Sequence, residues 1–105
     1  MSTVARSPEE LEFLLEDALV LRDSDAVAAL FEQGGVLVER SGRVRRVSEA
    51  ARVLAAEDYQ AAPASVTVVR NVAVVVGPST VNISIRDARG DWLLVAATLT
   101  SARPA

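Results

Sequence analysis

The chain has 105 residues, half of them hydrophobic and 24% charged, a composition that suits one globular domain with its own core and not a disordered segment. It contains no Cys and no His, which excludes disulfides, a Cys/His zinc site, a Ser-His-Asp triad, a cysteine nucleophile and any histidine acid–base step. The net charge is only −3, so no whole-molecule attraction to nucleic acid or to an anionic membrane is expected.

Ser7-Pro8-Glu9-Glu10 is a helix start: Ser7 can cap, Pro8 suits the first helical position and Glu10 completes a capping box. The first helix is predicted to run to about Arg22. Leu11, Leu14, Leu15, Ala18 and Leu19 form its apolar stripe, and Glu9, Glu10, Glu12 and Glu16 take the wet side. Asp23-Ser24-Asp25 breaks that helix and caps a second, with Ala26, Val27, Leu30 and Phe31 inward and Gly34-Gly35 as its end. Val36 to Arg40 and Arg43 to Val47 read as a hairpin around Ser41-Gly42. Ser48 is expected to cap a third helix, with Ala50, Ala51, Val53 and Leu54 inside, ending before Pro63.

The remainder switches to period two. Strands are predicted over 66–69, 72–76, 80–86 and 92–100, with turns at Arg70-Asn71, Gly77-Pro78-Ser79 and Asp87 to Asp91, and a frayed tail from Ser101. The fold class is therefore α+β: three helices from the N-terminal side packed on one face of a curved, mostly antiparallel six-strand sheet. A single domain spanning 1–105 is expected, with an ordered core over about 7–101. No leader-like apolar segment follows Met1, and the apolar runs fall far short of the ~20 residues a membrane helix needs, so a cytoplasmic protein is expected. The runs Val72 to Val76 and Leu93 to Ala97 are apolar on both faces, and three helices do not cover two faces of a sheet. The simplest cover is a second copy, which predicts a homodimer through the sheet.

The order helix, helix, hairpin, helix, four strands resembles the nuclear transport factor 2-like superfamily, including its SnoaL-like and ketosteroid-isomerase-like members, whose fold is a cystatin-like cone. Asp23 to Phe31 looks like the family's second helix. Val36-Leu37-Val38-Glu39 looks like its first strand. Asn71 to Val76 is similar to a strand opening of that family, and Gly90-Asp91-Trp92-Leu93-Leu94-Val95 looks like its ending. The resemblance implies a pocket between the sheet and the first helix, open at one end. The isomerase members use a tyrosine on the first helix and an aspartate base at the end of the first strand. Those positions fall here on Leu15 and Arg40, so neither the phenol nor the base is carried over.

Two carboxylates are weak catalytic candidates. Asp17 sits mid-helix beside Phe13 and Val20, against the alternative of an exposed helix acid. Glu39 would need one residue of register slip to turn inward, against the alternative of a solvent-facing acid near Arg43 or Arg45. Leu15, Tyr59, Trp92 and Thr98 are the candidate ligand-binding residues. Tyr59 is expected to cover the pocket mouth next to Asp58, and Trp92 and Thr98 share parity along an ideal strand. Val81, Ile83 and Ile85 fit the core side of their strand better, which turns Asn82, Ser84 and Arg86 outward, to solvent or a dimer rim. Arg40, Arg43, Arg45 and Arg46 form a basic hairpin with no aromatic interleaved, so no nucleic-acid partner is expected. No metal site, no cofactor and no membrane partner is expected. Two functions stay open: a dimeric domain whose apolar pocket binds a small hydrophobic molecule or serves association, and a small-molecule enzyme of the polyketide cyclase, isomerase or dehydratase kind.

Overall fold

The computed structural model of the chain describes residues 4–56, 59, 61 and 65–100. Asp58, Pro63 and the tail 101–105, each of which carried an expectation, lie outside the described residues. The first helix, α1 (Pro8–Val20), starts as the sequence predicts, with Ser7 Oγ accepting from the Glu10 N–H at 3.0 Å. Glu10 closes the reciprocal bond one residue further back, accepting from the Arg6 N–H and not from that of Ser7. The second helix, α2 (Ser24–Ala29), is capped by Asp23, whose carboxylate accepts from the Ala26 N–H at 3.0 Å.

Gly34-Gly35 does not end α2, contrary to the sequence reading. The helix stops at Ala29, and β1 (Phe31–Val38) begins at once. Both glycines lie inside β1, where the pairing with the last strand shifts register between Phe31 and Val36 and Gly34 adopts φ +83°. The helix-like spacing of Leu30 and Phe31 arises because both side chains are buried from a turn and a strand end. After the Arg40 to Gly42 turn, β2 (Val44–Arg46) passes directly into α3 (Val47–Ala56). The predicted Ser48 cap is thus the second residue of the helix, not its boundary.

Four strands follow: β3 (Ser65–Val69), β4 (Val72–Val76), β5 (Thr80–Arg86) and β6 (Trp92–Leu99). They form one six-stranded sheet in the order β2-β1-β6-β5-β4-β3. Every pairing is antiparallel except β1 with β6, which run parallel and bring the N-terminal hairpin beside the last strand. A short bridge from Ala5 to Trp92 ties the segment before α1 to the same strand.

The helices cover one face. Leu11, Leu15, Val27, Leu37, Leu54 and Leu94 are its most deeply buried large side chains. Ala73 and Val75 of β4, Leu94, Ala97 and Leu99 of β6, and Thr80, Asn82 and Ser84 of β5 also face inward. That reverses the expected orientation of β5. Register decides it: Asn82 pairs with Val75 and Ala97, and Ser84 with Ala73 and Leu94, all on the helix side. Val81, Ile83 and Ile85 lie on the outer face with Val72, Val74 and Val76. Among the described residues no helix is long and apolar enough to cross a membrane.

Candidate functional site

One of the inward polar side chains of β5, Asn82, meets α1 beneath the sheet. Glu12, expected on the wet side, is 3% exposed, and Tyr59 and Asn82 close over it. The Tyr59 hydroxyl donates to Glu12 Oε1 at 2.5 Å, and Asn82 Nδ2 donates to Glu12 Oε2 at 2.7 Å. Asn82 Nδ2 also lies 3.2 Å from the Tyr59 oxygen, so three residues from α1, β5 and the segment after α3 form one closed network. Burial pushes the Glu12 carboxyl above its ordinary value of 4.5, against the two hydrogen bonds, which lower it. Burial also raises the Tyr59 phenol, helped by the neighbouring Glu12.

Asn82 Oδ1 and the Ser84 hydroxyl are buried without a hydrogen-bond partner. Half a turn of the Asn82 amide exchanges its oxygen and nitrogen. A neutral Glu12 can then donate from Oε2 to Oδ1, so the same geometry serves both protonation states of the carboxyl.

Tyr59 has a second role. It also lines a cleft of about 580 Å³ between the C-terminal end of α1, the start of α2 and one side of α3. Ala18, Leu19, Val27, Ala51 and Ala55 supply most of the remaining apolar wall, and Arg22 and Arg52 reach it from the turn after α1 and from α3. Glu16, one turn beyond Glu12, accepts from the Ala61 N–H at 3.1 Å and so helps hold the segment that carries Tyr59. Tyr59 therefore belongs both to the cleft lining and to the buried network around Glu12.

The other predicted site residues are distributed differently. Leu15 and Trp92 belong to the packed core and do not line the cleft. Thr98 is on the outer face, paired with Val38 and Val81. Its expected parity with Trp92 is broken by a shift of register in β6, where Ile83 faces Ala96 but Ser84 faces Leu94. Asp17 is exposed on α1. Glu39 is half-buried and ion-paired with Arg45, which also reaches Glu49 at 3.4 Å. At the position where a base was sought, Arg40 donates from its guanidinium to the Thr100 carbonyl. Among the described residues no group of three or more acidic side chains is placed to hold a metal.

The missed residue, Glu12, had a signal in the sequence. Pro8, Leu11, Glu12, Leu15, Ala18 and Leu19 are one continuous helical face, and Glu12 is its only charged member. Asn82 and Ser84 were visible as a small, uncharged polar row, but parity alone does not say which face of a sheet meets the helices.

The overall fold is shared with several solved structures. An NTF2-like protein from Cytophaga hutchinsonii superposes with a TM-score of 0.66 at 12% identity, over 88% of this chain and 93% of that one. The chain has the nuclear transport factor 2-like fold. A candidate Ca/calmodulin-dependent kinase II association domain from Exiguobacterium sibiricum shares this fold at a TM-score of 0.66 and 18% identity, over 94% of this chain and 97% of that one. A candidate ketosteroid isomerase from Shewanella frigidimarina shares it at 0.60 and 17%, over 82% and 88%. No sequence-family model and no curated protein matches the chain. Within the nuclear transport factor 2-like fold the Glu12–Tyr59–Asn82 network occupies the space between sheet and first helix.

Proposed function

We propose that the chain is a small-molecule-binding domain that works as a homodimer. Its ligand enters the cleft over Tyr59, and the buried carboxyl behind Tyr59 holds the phenol in place. The observation that carries this reading is the double position of Tyr59, on the cleft wall and hydrogen-bonded to Glu12. A carboxyl taken out of water costs stability, and its two partners offset only part of that cost. Such an arrangement is characteristic of sites where a polar group must stand in a fixed place beside an apolar space. The mixed lining suits a largely apolar molecule with one or two polar atoms.

The dimer half of the proposal rests on the outer sheet face. Val72, Val76 and Ile83 on that face are 44%, 37% and 37% exposed, and Val69 at the β3 end is 65% exposed. The outward residues of β4 and β5, from Val72 to Val76 and from Val81 to Ile85, include no charge to repel an identical face. A two-fold pairing of this face with itself removes the exposed valine and isoleucine surface from water.

A second reading, proton transfer on a small substrate, has one observation in its favour: the raised Glu12 carboxyl. Both Glu12 oxygens are occupied, so any proton would have to pass through the Tyr59 hydroxyl. Binding needs no such relay and is the reading adopted.

Native mass spectrometry of freshly purified protein tests the proposal. The expected result is a dimer that retains, or takes up on addition of small apolar alcohols, a non-protein mass, with retention weakened by Tyr59→Phe. A monomer would remove the sheet-to-sheet pairing. A dimer indifferent to every added molecule would remove the binding role.

A further inference from the structure

The rim of the cleft over Tyr59 carries charge that its apolar floor does not require. Arg22 and Arg52 both line it, from different elements. Arg22 sits at φ +55°, in the left-handed region that side chains other than glycine rarely adopt. The local hydrogen bonds hold it there: the Asp23 N–H donates to the Ala18 carbonyl at 3.0 Å and the Arg22 N–H to the Leu19 carbonyl at 3.1 Å. That pair of bonds is the helix ending that ordinarily places glycine at the Arg22 position. An arginine kept in a conformation that glycine adopts more easily points to a use for its side chain beyond ending the helix.

The charge balance around the cleft points the same way. Among the described residues neither guanidinium makes an ion pair or a hydrogen bond. The acid among the described lining residues, Asp23, already accepts from the Ala26 N–H as the cap of α2. Among the described lining residues two cations without an ion pair therefore stand beside an apolar surface, with one committed carboxylate. Arg22 gains something from the C-terminal end of the α1 dipole, but that does not account for a second arginine from α3 on the same cleft.

We propose that the cleft takes an amphipathic monoanion, a carboxylic acid with an apolar body. The body lies over Ala18, Leu19, Val27, Ala51 and the Tyr59 ring, and the carboxylate is received by Arg22 and Arg52. Asp23 disfavours a doubly charged phosphate at the same rim. The inference names the ligand class for the small-molecule reading and rests on that reading.

Chain-matched probes separate the two. Octanoate, octanol and octylamine are titrated into 15N-labelled protein while the backbone amides of Leu19, Val27 and Ala51 are followed. Octanoate is expected to saturate these shifts with a Kd about fivefold or more below that of octanol, with octylamine the weakest. Arg22→Gly is the decisive variant, because glycine suits φ +55°: its Tm should match or exceed that of the native chain while octanoate loses its advantage over octanol. Arg52→Gln should lose part of the same advantage. Equal binding of octanoate and octanol would overturn the anion proposal and leave the cleft a neutral-ligand site. Failure of all three probes to move these amides would overturn both the anion proposal and the small-molecule reading. An Arg22→Gly protein that folds and still prefers octanoate would overturn the role given to Arg22.

Discussion

Glu12 has both carboxyl oxygens occupied by neutral donors and almost no contact with water. Burial raises its pKa in the folded chain above the ordinary 4.5, so between that value and the higher folded value the folded state holds a proton that the unfolded chain has lost. Its contribution is therefore most favourable below pH 4.5 and is lost as pH rises through the folded pKa. Glu12→Gln carries no titrating proton, and turning the Asn82 amide lets Oδ1 accept from it. Compared with the native chain by urea unfolding, the Gln variant should gain stability as the pH is raised from 4.5 to 8. A difference that stays flat, or that moves the other way, would refute a raised carboxyl. Glu12→Ala leaves the Tyr59 and Asn82 donors buried without a partner and should cost about 2–4 kcal/mol in the same assay. At this scale the sequence was only half legible. Glu12 stood on the apolar face of α1, yet in a run of acids its charge read as solvent-facing. Only the opposing Tyr59 and Asn82, 47 and 70 positions away along the chain, made its burial tolerable.

At the scale of elements, two irregularities interrupt the regular pairing of the strands. The first is in β1. A Cβ added at Gly35 would lie 2.9 Å from the Glu32 carbonyl oxygen and 3.1 Å from that of Leu94, both backbone atoms, with the Phe31 ring at 3.2 Å. Gly35→Ala should therefore cost about 1–3 kcal/mol, because the β1–β6 pairing must open to admit one methyl. Gly34→Ala meets nothing within 4 Å and should cost about 1 kcal/mol through φ alone. Thermal unfolding of the two variants distinguishes these costs, and a Gly35→Ala protein as stable as the native one would show that the bulge is not tightly packed. The second irregularity is the register shift of β6, which turns Trp92 inward and Thr98 outward. Neither was legible. A Gly-Gly pair after a helical run reads as a helix end, and an ideal strand keeps its parity. The hairpin, the four later strands and the start of α1 were legible, because turn residues and apolar periodicity act over a few neighbouring positions.

For the molecule as a whole, the proposed homodimer predicts that the two faces of β4 separate folding from association. Val75 is 2% exposed beneath the helices, and Val74 points to the outer face. Val75→Asp places an unpaired charge in the core and should unfold the chain at several kcal/mol. Val74→Asp should leave a folded monomer, with native circular dichroism and half the mass by sedimentation. If both variants merely unfold, or if Val74→Asp remains a dimer, the outer face is not the interface. The composition, the absence of Cys and His, the order of the elements and the apolar character of both faces of β4 were determined by the sequence alone, because each follows from residue type and local spacing. Which face of β5 met the helices, which acid was buried and which aromatic side chain stood on the cleft were decided only by the tertiary structure. Those choices depend on the register between strands distant in the chain, and a polar group can be buried only where such distant partners come together to receive it.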